Sequence, residues 1–397
     1  MTPTSRHACS SDTIVRTDAP ECDQANVGDG VMASSAGCGS CAGNAETSAQ
    51  ANAARAASAN PPLRAVFMGT PDFAATILER VLQADFLQIV AVYTQPDRPA
   101  GRGKKLCPPP VKELALRQGI AVEQPLNFKQ DFQGDAAVAA LAGYAPDVLL
   151  VAAYGLILPQ RVLDIPRLMP LNVHASLLPK YRGAAPIQRA IMQGEAVTGV
   201  TIMRMEAGLD TGPILMQRAV GIDMHDDSGK LHNELALEGA ELLLMALQRL
   251  AAGNLQGIAQ NEKRASYAQK LRKEDGLLDL SRDAKALHAH IRGVTPWPGA
   301  SLVLHRDGQE DLAVQVEAGV FPLTAGLNLA LDDRNVVWDR APGAILPGLV
   351  EKALLVACGS GAYAFTSFRP AGRKRMDATA FYNGYIAGSR NAFFTGQ

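Results

Sequence analysis

The chain has 397 residues, carries 38 basic against 39 acidic side chains for a net charge of −1, and is 47% hydrophobic. That length exceeds one ordinary compact domain and points to two or three. Near-neutral charge excludes a uniformly basic nucleic-acid coat, and no apolar run reaches the ~18 residues a membrane span needs.

Residues 1–62 are rich in Ala, Ser, Gly, Asn and Asp and hold three Arg, six acids and almost no large apolar side chain. Such a stretch cannot bury enough surface to offset its chain entropy, so it reads as a disordered leader. It lacks the basic-then-apolar layout of a secretory signal, which fits an intracellular chain. Four of the six cysteines fall here, two of them in a CGSC pair, Cys38 and Cys41. With no second CxxC and no strand before it, the pair does not make a zinc or redox site.

From Leu63 the texture changes. LRAVFMG (63–69) reads as a buried strand, and Pro71 and Asp72 start a helix with apolar rhythm over 73–84. Strand 87–94, helix 110–118 and a helix including 138–142 follow. DVLLVAAY (147–154) has no polar alternation, as expected in the middle of a sheet covered on both faces. Strands over 170–174, 198–205 and 212–220 and a long helix over 228–251 complete the run. Strands alternating with helices imply an open, mostly parallel, Rossmann-like α/β sheet over 63–255. Residues 256–274 read as a linker. The remainder, 275–397, has short strand-like runs (ASLVLH, AVQVEAGV, ALLVACG, AYAFTSF) punctuated by Gly and Pro, as in a small barrel or sandwich. Trp297, between two prolines, reads as a domain-packing anchor, and His288 and His290 as helix-surface residues.

The informative stretch is NVHASLLPKYRG (172–183). Asn172 and His174 stand two apart at the C-terminal end of a strand, so their side chains share a face. Ligands of open α/β sheets gather beyond the strands' carboxyl ends. Asp210, in the Gly-flanked loop GLDTG, can reach the same place. An amide donor, an imidazole and a carboxylate suit acyl transfer to an amine. The amide stabilises a tetrahedral oxyanion, the imidazole exchanges protons, and the carboxylate orients it or takes the amine proton. Ser176 is the nearest hydroxyl, yet no nucleophile is clearly placed, so direct transfer is favoured over an acyl-enzyme. A nicotinamide oxidoreductase would need GxGxxG. Here GTPDF (69–73) supplies one glycine, although Asp97 lies near the second strand's end. Two basic groups carry alternatives: Arg98, Arg102, Lys104 and Lys105 in a Gly/Pro loop read equally as a solvated loop or as phosphate contacts, while Arg369, Arg373, Lys374 and Arg375 near the end read by themselves rather as a solvated loop. A non-catalytic RNA-binding protein would use only these.

These motifs together, with TGVTIMRMEAGLDTGPIL, TQPDRPAGRGKKL and VAAYGLILP, resemble the methionyl-tRNA formyltransferase family of the folate-dependent formyltransferase superfamily, from Leu63 to the end. The resemblance implies catalytic roles for Asn172, His174 and Asp210, 10-formyltetrahydrofolate as donor, and methionyl initiator tRNA as acceptor in translation initiation. It implies folate contacts at Ser176, Leu177, Leu178 and Pro179 and a pterin pocket along Leu156, Ile157 and Leu158. It implies an OB-like C-terminal domain, tRNA contacts from both basic groups, no metal, no membrane, and a cytoplasmic monomer. The alternative within the superfamily is a small amine acceptor, such as glycinamide ribonucleotide or an amino sugar nucleotide.

Overall fold

In the computed structural model, which describes residues 61–100, 105–319, 340–350 and 352–396, strand and helix alternate from the first apolar run onward. The leader to residue 60 with its CGSC pair, Arg102, Lys104 and Val320 lie outside the described residues. The first half runs β1 (Leu63–Gly69), α1 (Asp72–Val81), β2 (Leu87–Tyr93), β3 (Arg98–Ala100), β4 (Lys105–Cys107), α2 (Pro110–Arg117), β5 (Val122–Glu123), α3 (Phe132–Gly143) and β6 (Val148–Ala152). Then come α4 (Gln160–Leu163), β7 (Met169–His174), β8 (Arg182–Gly183), α5 (Pro186–Met192), β9 (Val197–Arg204), β10 (Ile214–Gly221) and α6 (Ser228–Ala251).

Seven of these strands form one sheet in the order β10-β9-β7-β6-β1-β2-β5. From β7 to β5 every pairing is parallel. β9 and β10 run antiparallel at the other edge. Residues 205–213 between them are too few for the dozen or so residues of a parallel crossover. All five residues of β6 are buried, because helices cover both faces of the sheet. On one face α1 turns Phe73, Ala74, Ile77, Leu78 and Val81 inward at helical spacing, and α6 lies beside it. On the other face Met68, Tyr93, Phe128, Leu141 and Leu149 make a second core. Gly239 of α6 lies against β7: a Cβ there would meet Val173 Cγ1 at 2.8 Å.

Segment 256–274, expected to join the domains, runs along the first of them. Ile258 bridges Ile214, and β11 (Tyr267–Ala268) pairs with β8. Beyond it come α7 (Ala284–Gly293), β12 (Ala300–Arg306), β13 (Leu312–Val316), β14 (Ile345–Val350), β15 (Ala353–Ala357), β16 (Ala362–Phe365), β17 (Ser367–Pro370), β18 (Met376–Asp377), α8 (Ala378–Phe381) and β19 (Ala392–Thr395). They make a five-stranded sheet, β18-β17-β13-β12-β19, and a three-stranded one, β14-β15-β16. All pairings are antiparallel, and an Ala344–Phe393 bridge joins the two sheets. Phe365, Phe368, Phe381 and Phe394 fill the core of this small β-domain.

Two expectations need correction here. His288 and His290 are buried, at 3% and 8% exposure, not on a helix surface. α7 is enclosed on all sides over 287–293, so helical spacing gives no outward face to read. Both imidazoles are hydrogen-bonded: His288 to the Tyr363 hydroxyl and the Met224 carbonyl at 2.8 Å each, His290 to the Asp275 carbonyl at 2.7 Å. Burial pushes both pKa values down. Trp297 is 52% exposed and so is not a buried packing anchor. The close-packed residues of that turn are its glycine neighbours: a Cβ on Gly276 would meet the Gly299 carbonyl oxygen at 2.3 Å.

Candidate active site

β7 ends at His174, and the β-pleat sends Asn172 and His174 to one face while Val173 packs on the other against α6. Asn172 is 9% and His174 5% exposed. His174 Nε2 lies 3.0 Å from the Tyr181 carbonyl, which can only accept, so that nitrogen carries the hydrogen. The other ring nitrogen, Nδ1, faces Asp210 Oδ2 at 3.6 Å. The carboxylate is anchored separately: the Gly183 N–H donates to Oδ2 at 2.8 Å. His174 and Asp210 therefore come together, the carboxylate just beyond hydrogen-bond reach of the imidazole, and Asn172 stands on the same face of β7 as His174.

The turn after β7 is held firmly. Ser176 is fully buried, and its hydroxyl donates to the Lys180 carbonyl at 2.7 Å. Thr201 Oγ1 donates to the Ser176 carbonyl at 2.7 Å and accepts from the Leu178 N–H at 3.1 Å. Lys180 Nζ and the Tyr181 hydroxyl both donate to Glu195 Oε1 at 2.9 Å, and Lys180 holds that carboxyl below its usual range. With its hydroxyl engaged, Ser176 is not a poised nucleophile. Ser176 and Leu178, both buried, shape the turn from within. Leu177 and Pro179 are half-buried and keep surface open.

Beside β7, the segment after β6 takes left-handed backbone at Ala153 (φ 45°) and Gly155 (φ 84°). In Leu156–Leu158 no backbone group makes a backbone hydrogen bond among the described residues. Ile157 is 88% exposed. A cleft of about 720 Å³ opens beyond β1, β2 and β6, bounded by Thr70, Gln95, Arg98, Pro109, Tyr154 and Lys270. Its wall is knitted by Thr70 Oγ1 donating to the Tyr154 carbonyl at 2.8 Å and Arg98 Nη2 donating to Gln95 Oε1 at 2.5 Å. Lys270 lies in the segment read as a linker, and only the fold brings it to the cleft. Arg98 and Lys105 are exposed on the two strands of a hairpin.

In the second domain Arg369, Arg373, Lys374 and Arg375 are all exposed around β17. A groove of about 620 Å³ runs past the first three of them. Arg375 pairs with Glu317 and Arg369 with the Gln315 carboxamide. Arg373 and Lys374 make no ion pair among the described residues.

Comparison with known proteins settles the family. Residues 63–247 match the formyl transferase family, and residues 270–386 match the formyl transferase C-terminal domain. The chain is 50% identical over 327 residues to a methionyl-tRNA formyltransferase of Nitratidesulfovibrio vulgaris, covering 82% of this chain and 94% of that one. The chain belongs to the methionyl-tRNA formyltransferase family. A member from Pseudomonas fluorescens is 46% identical over 322 residues, covering 81% of this chain and 93% of its own. Among solved structures, HypX from Aquifex aeolicus superposes with a TM-score of 0.52 at 17% identity, over 83% of this chain and 49% of that one. An N-formyltransferase from Helicobacter canadensis does so with a TM-score of 0.51 at 15% identity, over 79% of this chain and all of that one. At such identities these two likenesses speak for the fold alone.

Proposed function

We propose that this protein transfers the formyl group of 10-formyltetrahydrofolate to the α-amine of methionyl initiator tRNA by direct attack, supporting translation initiation in the cytoplasm. The observation that carries the reading is the approach of Asp210 to His174 at the end of β7, with Asn172 on the same strand face, in a chain 50% identical to a methionyl-tRNA formyltransferase over 82% of its length. The amine nitrogen bonds to the formyl carbon, and the carbonyl oxygen becomes an oxyanion. The Asn172 carboxamide donates to it, a contact worth about 3–4 kcal/mol when preorganised. Asp210 and His174 Nδ1 form one proton-accepting pair that takes the proton shed by the amine. The same pair returns a proton to the folate nitrogen as its bond to the formyl carbon breaks.

The unpaired backbone of Leu156, Ile157 and Leu158 offers donors and acceptors to a pterin edge, with Leu177 and Pro179 as apolar wall and Ser176 and Leu178 fixing its shape. Arg98, Arg102, Lys104 and Lys105 hold the acceptor end of the tRNA, and Arg369, Arg373, Lys374 and Arg375 its phosphates. A small amine acceptor would leave that second basic face without a task.

The deciding measurement is formyl transfer from 10-formyltetrahydrofolate to charged initiator tRNA, run beside glycinamide ribonucleotide and an amino sugar nucleotide. Turnover with the tRNA alone is expected. Turnover only with a small amine overturns the reading.

A further inference from the structure

Asp210 occupies left-handed backbone at φ 52°, which an aspartate tolerates without preferring. Its loop is therefore held from outside. Gln260 Nε2 donates to the Asp210 carbonyl and to the Gly212 carbonyl, each at 2.7 Å. Gln260 Oε1 accepts from Arg182 Nε at 3.0 Å and from Nη2 at 2.8 Å. Arg182 also grips Glu262 two-pronged, Nη1 to Oε2 at 2.8 Å and Nη2 to Oε1 at 2.7 Å. The residue after Arg182 is Gly183, whose N–H holds the Asp210 carboxylate at 2.8 Å. The contacts close into a ring: carboxylate, Gly183, Arg182, Gln260, and back to the Asp210 carbonyl.

The arginine side chain in this ring is 0% exposed, whereas Glu262 is 67% exposed. Enclosing a guanidinium is costly, and apolar packing serves stability at least as well, so stability alone does not account for an arginine at this place. Glutamine is suited to its own place. Its oxygen accepts from the guanidinium while its nitrogen donates to two carbonyls. An ionised glutamate cannot donate, and a lysine cannot accept.

We propose that Arg182 and Gln260 are positioning residues, locking the Asp210 loop so that its carboxylate stays against His174 Nδ1. Resting on the catalytic reading of Asp210 above, this makes residues 260–262 part of the reacting centre, although Gln260 lies 50 positions along the chain from Asp210.

The test uses the full chain with Gln260→Glu, which keeps the acceptor for Arg182 and removes both donations, and Gln260→Met, which removes both halves at similar length. Each is made alone and in an Asp210→Asn background. Formyl transfer, KM for methionyl-tRNA and thermal melting are measured on all of them. The expected result is a fall in kcat of about 100-fold in each single variant with KM changed by less than about twofold. In the Asp210→Asn background the same changes cost no more than about threefold, because the carboxylate they aim is gone. Wild-type kcat in a folded Gln260 variant, or losses that multiply in the double variant, overturns the proposal. Melting curves identify a misfolded variant, and the other glutamine substitution then decides. Wild-type turnover in the same assay tells a failed positioning role from a failed functional reading.

Discussion

Substituting Gly239 by alanine tests whether the reacting strand is held from behind. Gly239 lies on α6, and the Cβ of an alanine would stand 2.8 Å from Val173 Cγ1 and 3.3 Å from Val200 Cγ1. Carbon pairs settle at about 3.5–4.0 Å, so the first contact is short by roughly 0.7–1.2 Å. Val173 is short, rigid at χ1 and flanked by Asn172 and His174, so relief requires β7 to move. Overpacking costs about 1–3 kcal/mol, while alanine in place of glycine inside a helix returns up to about 1 kcal/mol. A net loss of about 0–2 kcal/mol is expected, a small fall in melting temperature. Activity behaves differently. A displacement approaching 1 Å of the two polar side chains lowers kcat by about tenfold to 100-fold. Thermal melts and steady-state formyl transfer on Gly239→Ala check both quantities. Gly143→Ala, whose Cβ meets nothing within 4 Å, serves as control. A Gly239→Ala variant with lowered melting temperature and wild-type kcat would refute the idea that packing behind Val173 sets the geometry in front of it.

His174→Ala is expected to lower kcat by about 10²- to 10⁴-fold and Asn172→Ala by about 10²- to 10³-fold, with tRNA binding retained in a filter assay. Loss of tRNA binding in either would contradict a chemical role. Burial depresses the pKa of His288, whose charged neighbours are Arg292 and His225, and of His290, which faces Arg282, Asp275 and Arg189. With folded values below unfolded ones, the unfolded chain binds more protons as the pH falls beneath about 6.5. Their stabilisation is complete above that pH and is lost as the pH drops through the folded values. Melting temperature should thus decline between about pH 6.5 and 5 less steeply in His288→Asn than in the wild type. Equal slopes would exclude His288. The logarithm of the affinity for methionyl-tRNA is expected to fall linearly with log salt, and Arg373→Ala and Lys374→Ala each to lower that slope by about 1 without changing KM for the folate. Unaltered slopes would remove these two residues from the tRNA surface.

The parallel strands were legible because strands buried on both sides are uninterrupted apolar runs. β6, with every residue buried, is the plainest case. Asn172 and His174 were legible because two-residue spacing at a strand end permits one arrangement. Asp210 followed from its glycine-flanked loop. Local pattern carries no information about partners distant in sequence, which is why Arg182 passed as a motif residue while Gln260 and Lys270 passed as linker. The reversal of β10 against β9 follows from the short connection 205–213, whereas that of β9 against β7 spans the long segment 175–196 with α5 and leaves no mark in composition. His288 and His290 misled for a related reason. A polar residue inside a helix is assigned to water by default, and only the loop at Met224 and the ring of Tyr363 show that it is enclosed.

That enclosure bears on how long a substrate must be. The Met224 carbonyl can only accept, so His288 Nε2 carries the hydrogen and Nδ1 takes the Tyr363 hydroxyl hydrogen, while Tyr363 Oη accepts the Gly319 N–H at 2.9 Å. Arg292 Nη1 adds the Asp223 and Asp226 carbonyls at 2.9 and 2.8 Å. α7 is thus bolted to the loop ahead of α6 on one side and to the β-domain on the other. These bonds tie the β-domain that carries the basic rim around β17 to the domain that carries His174. On the proposed function, a tRNA held at the β17 rim must span the way to His174 with its own acceptor arm.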